Sequence, residues 1–181
     1  MSLADVASIG SLVSGLAVLA SLLFLNLQVR QAKLNQQASI WQARLHRQSE
    51  IQLGVATGPS LASALSKAIS GGEEMSPAEF TQFIAYSRAI FLSAEDAYYQ
   101  HAGGLLKQTA FNNLIKGTKY ALSLPAMRAA WQESRQLHGD EFLEFMDTLA
   151  RATPVIPPST AANRLVQWKA DVAAAMTPVH P

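Results

Sequence analysis

Four histidines are the first residues to test for chemistry: His46, His101, His138 and His180. A metal site on a helix needs a second ligand three or four residues away. His46 with Glu50 is the one pair at that spacing with no glycine between them. Two ligands on a polar helix read more simply as a solvated pair than as a metal centre. His101 has Glu95 and Asp96 six and five residues before it, off its helical face. Gly139 interrupts the chain between His138 and the acids Glu141 and Glu144, and His180 stands in the C-terminal tail. Glu95 and Asp96 are adjacent, so they point about 100° apart and cannot flank a substrate as paired carboxylates.

A better candidate is the trio Arg88, Glu95 and Tyr98, with Ser87 beside the arginine. Seven residues separate Arg88 from Glu95, which puts them on one side of a helix, and Tyr98 follows one turn later. Inside a bundle such a set could form a polar ligand pocket; its plainer reading is a satisfied ion pair. Nucleophilic and phosphate chemistry find no support. The glycine pairs in "SGGEE" and "AGG" lack the strand and lysine of a phosphate loop, no serine carries a strained-turn signature, and cysteine is absent. No catalytic residue, metal ligand or cofactor is therefore expected, and the chain is read as a non-enzyme.

The elements that carry these residues are helical. Residues 6–29, "VASIGSLVSGLAVLASLLFLNLQV", contain no charge. About 20 apolar residues suffice to cross a bilayer core as a helix. The run is longer than a signal-peptide core and lacks a basic leader, since "MSLAD" offers only an acid. A buried soluble helix would show some polar face, and this run has none. Residues 1–5 are then an external N-terminus and 6–29 a transmembrane helix. Arg30, Lys33, Arg44 and Arg47 all precede the next acid, Glu50, so the positive-inside bias places the C-terminal bulk in the cytosol. Within the span Ala7, Ser11 and Gly15 recur every four residues, a stripe that allows close helix–helix approach. Arg30 and Lys33 stand near enough to the bilayer for headgroup contact.

No Gly or Pro interrupts the helix before Gly54, so residues 30–54 form a juxtamembrane stalk. On it Leu34, Ala38, Trp41 and Leu45 make one apolar stripe in a Gln- and Arg-rich rod, and that stripe requires a partner. Residues 55–152 read as a cytosolic helical bundle. "SPAE" at Ser76–Glu79 is a capping box that opens a long central helix ending at "HAGG". Gly117 is expected to cap the helix that follows, a further helix runs from Pro125 to Gly139, and Phe142, Phe145, Met146 and Leu149 stripe the next one. Trp131 is expected in the core. Residues 153–160, "TPVIPPST", are a proline-rich linker, and residues 161–177 an amphipathic helix exposing Leu165 and Trp168 as interface candidates with Leu34, Trp41 and Leu45.

The fold class is all-α: an N-terminal transmembrane helix continuing into a stalk, then a bundle and a linker-tethered C-terminal helix. Charged residues are only 15% of the 181 and the net charge is +1, so no basic field attracts nucleic acid. "LQVRQAKLNQQAS", "EDAYYQHAGGLL" and "LPAMRAAWQESRQLHGDEFLEFMD" together resemble a widespread group of uncharacterised bacterial single-pass membrane proteins with a helical cytosolic domain. The resemblance implies an inner-membrane protein in the orientation above and brings no activity. Two functions are in view. One is a membrane-anchored scaffold that forms a homo-oligomer or joins a larger membrane complex, with lipids and other membrane proteins as partners. The other is a membrane-tethered sensor that binds a small apolar ligand or lipid within the bundle.

Overall fold

The computed structural model describes residues 3–71, 74–158 and 161–176, apart from the side chains of residues 3, 5–7, 9, 161 and 162. Among the described residues the chain forms seven α-helices, one 3-10 turn and no strand, as its sparse β-branched content predicts. It divides into two compact units, Met1–Leu45 and His46–Pro181.

Helix α1, Leu3–Thr57, supplies the whole described part of the first unit. It is long and apolar enough to cross a membrane. Leu12, Leu16, Leu23 and Leu27 are each more than half exposed among the described residues. Two of its serines turn back onto the helix: Ser11 Oγ donates to the Ser8 carbonyl at 2.9 Å and Ser21 Oγ to the Ala17 carbonyl at 2.8 Å. Hydroxyls that return to their own backbone suit a medium without other partners.

The second unit begins with the last turns of α1, so the bundle claims the C-terminal part of the expected stalk. Arg47 Nη1 pairs with Asp96 Oδ2 at 3.0 Å. Gly58 then turns the chain into α2, Pro59–Ile69, with Pro59 in the first helical position. The turn needs glycine, because a Cβ on Gly58 would lie 2.7 Å from the Gly54 carbonyl oxygen. Ala64 and Ala68 are buried in the core, and their small side chains let α2 lie close on α3, Pro77–Ala102. The expected capping box is present: Ser76 Oγ accepts from the Glu79 amide and Glu79 accepts from the Ser76 amide. Phe83, Ser87, Phe91 and Ala94 form the buried face of α3 at helical spacing. The buried Ser87 hydroxyl is satisfied by the Phe83 carbonyl at 2.8 Å. At the far end Gly104 adopts φ +68°, and the Leu105 and Leu106 amides return to the Gln100 carbonyl.

Helix α4, Gln108–Ser123, corrects one expectation: it passes through Gly117 instead of stopping there. A mid-helix glycine costs about 1 kcal/mol against alanine. Burying Leu122 beyond it returns roughly 2 kcal/mol, so continuation wins. Helix α5, Pro125–Ser134, is followed by the 3-10 turn Arg135–Leu137, so the α-helix is shorter than its glycine boundary suggested. Helix α6, Asp140–Arg151, buries Phe142, Met146 and Leu149. At the centre Trp131 is fully buried, edge-on to Phe91 at 5.2 Å and to Phe142 at 6.0 Å. Its indole N–H donates to Asp147 Oδ1 at 3.0 Å, so the largest core side chain leaves no polar atom unpaired.

The proline-rich segment is docked at its start. Thr153 is buried, Arg128 donates to the Thr153 carbonyl, and the Ile156 amide donates to the Ser123 carbonyl at 2.9 Å. Helix α7, Ala161–Met176, has every described side chain exposed. Thr177, which was assigned to this helix, lies outside the described residues.

Candidate interaction surfaces and bundle cavities

Of the proposed span-association residues, Ser11 and Gly15 are exposed, and a Cβ added at Gly15 would meet nothing within 4 Å. The side chain of Ala7 lies outside the described residues. Arg30 and Lys33 are exposed on α1. Farther along, Leu34, Trp41 and Leu45 are 59%, 47% and 52% exposed, which leaves their stripe uncovered. On α7 Leu165 and Trp168 are 50% and 61% exposed. Trp131, by contrast, is spent entirely on the core.

Arg88, Glu95 and Tyr98 share α3 but are not gathered into one pocket. Seven residues of helix separate Arg88 and Glu95 by about 10 Å along the axis, too far for direct pairing. Arg88 is exposed and makes no ion pair among the described residues. Tyr98 leans on Phe145 and Phe142, with ring centres 4.9 and 5.8 Å away, and borders a shallow depression of about 310 Å³ beside Glu144 and Thr148.

Glu95 has different partners, which the sequence did not suggest. His138 Nδ1 lies 2.6 Å from Glu95 Oε2, and the Gly139 amide donates to Oε1 at 2.9 Å. A carboxylate only accepts, so the Nδ1–H of His138 is the donor. The His138 side chain is 1% exposed and its ring lies 5.2 Å from that of Trp131. Gly139 is the N-cap of α6 and brings no capping side chain of its own. A carboxylate from α3 takes that role and meets the positive end of the helix dipole. The pair is therefore a buried joint between α3 and α6. The one sequence hint was a helix opening at a glycine, a start that needs an acceptor from elsewhere. Beside it, partial burial and the carboxylates of Glu141 and Glu95 raise the Tyr99 phenol above its ordinary pKa.

A second polar joint ties α2 to α3. The Lys67 ammonium, the Ser76 amide and the Ser63 hydroxyl hold the Glu79 carboxyl down at about 2. His46 and Glu50 lie 3.4 Å apart on an exposed surface. Among the described residues no group of three or more His, Cys, Asp or Glu could hold a metal ion.

Two of the cavities among the described residues are large enough to consider as sites. One of about 760 Å³ lies between the end of α2, the start of α3 and α5, with Phe80, Ile84 and Ala129 on its walls and Pro158 at its edge. Glu133 is its single charged wall residue among those described. The other, about 500 Å³, lies between the last turns of α1, α2, α3, α4 and the start of α5. Phe83, Ile90, Leu114 and Met127 line it, and Tyr86 reaches it with a phenol whose pKa burial raises. Both volumes fall in the range of small-molecule sites. No family model matches the chain, and no curated protein or solved structure is similar to it.

Proposed function

We propose that this chain is a membrane-anchored, non-enzymatic interaction protein of the bacterial inner membrane. Its N-terminal helix spans the bilayer with the bundle on the cytosolic side. Lateral contacts then build a homo-oligomer or attach it to a larger membrane complex. One observation carries the reading: from Leu12 to Val29 α1 exposes apolar side chains around its whole circumference, and beyond that along the Leu34–Trp41–Leu45 stripe. An all-round apolar surface calls for lipid, and a one-sided stripe calls for a protein partner. The excess of Arg and Lys just after the apolar run supports the cytosolic placement of the bundle.

The test is the mass of the native particle extracted in a mild detergent, with stoichiometry. A particle of several copies, or a complex of fixed ratio with another membrane protein, is expected. Leu34→Gln with Trp41→Gln should reduce it to a monomer that stays in the membrane fraction after an alkaline wash. A strict monomer at membrane-like density would overturn the oligomer and the complex alike. Release of the wild-type chain by the wash would overturn the anchor.

A further inference from the structure

The 500 Å³ cavity has a chemical character that narrows what it can hold. Its floor is apolar, built by Phe83, Ile90, Leu114 and Met127. Its polar lining residues include Gln48, Gln52, Asn113 and the half-buried Ser93, and no described residue on its wall is charged. Gln48, Gln52 and Asn113 are exposed, and their amides make no hydrogen bond within the described protein, so they are available to a ligand's head.

The space exists because small residues face it. Ala94, Ala121 and Ala126 share the wall with Gly117, where an added Cβ would meet nothing within 4 Å. A Cβ at 117 would meet no clash, so packing around the backbone does not require glycine there. What the glycine leaves is volume.

We propose that this cavity binds an uncharged single-chain amphiphile, with its acyl tail against Phe83, Leu114 and Met127 and a hydroxyl-bearing head at Gln48, Gln52 and Asn113. An ionised head would lose hydration against a wall that offers no counter-charge. An uncharged diol or alcohol exchanges its water for amides at little cost. The site is separate from the Arg88, Glu95 and Tyr98 set, and it stands whether or not the chain acts as a scaffold.

The experiment uses the full chain in lipid nanodiscs and monolauroylglycerol carrying a diazirine in its tail. After illumination, labelled peptides are mapped by mass spectrometry. Saturable labelling should fall within 83–94 and 113–127. Unlabelled monolauroylglycerol should compete at least about tenfold better than laurate at a pH where laurate is ionised. Gly117→Leu, which extends into the cavity, should cut labelling by at least about tenfold while the melting transition is retained. Labelling confined to residues 6–29 or without saturation would overturn the proposal, as would equal competition by laurate or folded Gly117→Leu that labels as wild type does. Should the variant not fold, the wild-type map and the competition decide.

Discussion

Replacing Glu95 tests the joint between α3 and α6 most directly. Its carboxylate accepts from His138 Nδ1 at 2.6 Å and from the Gly139 amide at 2.9 Å, and its side chain is 17% exposed. Glu95→Ala removes a hydrogen bond between a charged group and a nearly fully buried ring, worth roughly 1.5–3 kcal/mol. It also removes the cap of α6, worth about 1 kcal/mol. The sum is about 3 kcal/mol, which for a bundle of this size lowers the melting temperature by roughly 10 °C. Glu95→Gln keeps one acceptor but turns an N–H toward the other donor, so about half the loss remains. Arg88, the partner that helix spacing first suggests, should be dispensable: Arg88→Ala is expected within about 0.5 kcal/mol of wild type. Thermal unfolding followed by tryptophan fluorescence, with Trp41 and Trp168 replaced by Phe throughout, suits the measurement, because the remaining Trp131 ring packs against His138. A drop under about 3 °C for Glu95→Ala, or an equal drop for Arg88→Ala, would refute the assignment.

Glycines 54 and 58 should respond in opposite directions: Gly58→Ala forces a Cβ to 2.7 Å from a backbone oxygen and costs about 1–3 kcal/mol. Gly54→Ala meets nothing within 4 Å and gains about 1 kcal/mol in denaturant melts. Acid titration reads Glu79. Its folded pKa is depressed from 4.5 to about 2, so the stability it brings is present above 4.5 and is lost as pH falls toward 2. Glu79→Gln should be less stable near neutrality and flat across that window; an unchanged acid slope would remove Glu79 from the account. Ending the chain after Pro158 removes the exposed α7 and should leave the bundle's stability within about 0.5 kcal/mol, whereas a larger loss would mean that α7 docks on the bundle.

What the sequence made legible was what depends on neighbours along the chain. The charge-free run of 6–29, the Ser76–Glu79 capping box and the i, i+4 face of α3 all report local period or local hydrogen bonding, and all are in the structure. Gly117 was misread because the local cost of a glycine is about 1 kcal/mol, while the burial of Leu122 five residues later is a tertiary gain. Glu95 and His138 were each weighed against carboxylates and cations nearby in sequence, yet their contact joins residues 43 apart. The same limit hid the docked start of the linker, where the Ile156 amide bonds to the Ser123 carbonyl at the end of α4. Cavities lie beyond sequence reading altogether, since they are defined by what several helices fail to fill.

The uncovered apolar surface of this chain is of two kinds, and the difference bears on what each can bind. From Leu12 to Val29, apolar side chains point in every direction around α1, and the hydroxyls of Ser11 and Ser21 are turned back onto the backbone. A single protein partner covers one side of a helix and would leave the rest in water, whereas hydrocarbon covers all of it at once. Past Arg30 the pattern changes. Gln31 and Asn35 hydrogen-bond to each other along the helix, and the apolar residues contract to the stripe of Leu34, Trp41 and Leu45. Water can cover the polar sides there, so only one flank is left to satisfy, over about 16 Å of helix. That is the length of three helical turns and matches a neighbouring helix better than a globular cleft. Under the proposed function the membrane would hold the chain while the stripe would choose its neighbour, and the two interactions could be removed one at a time.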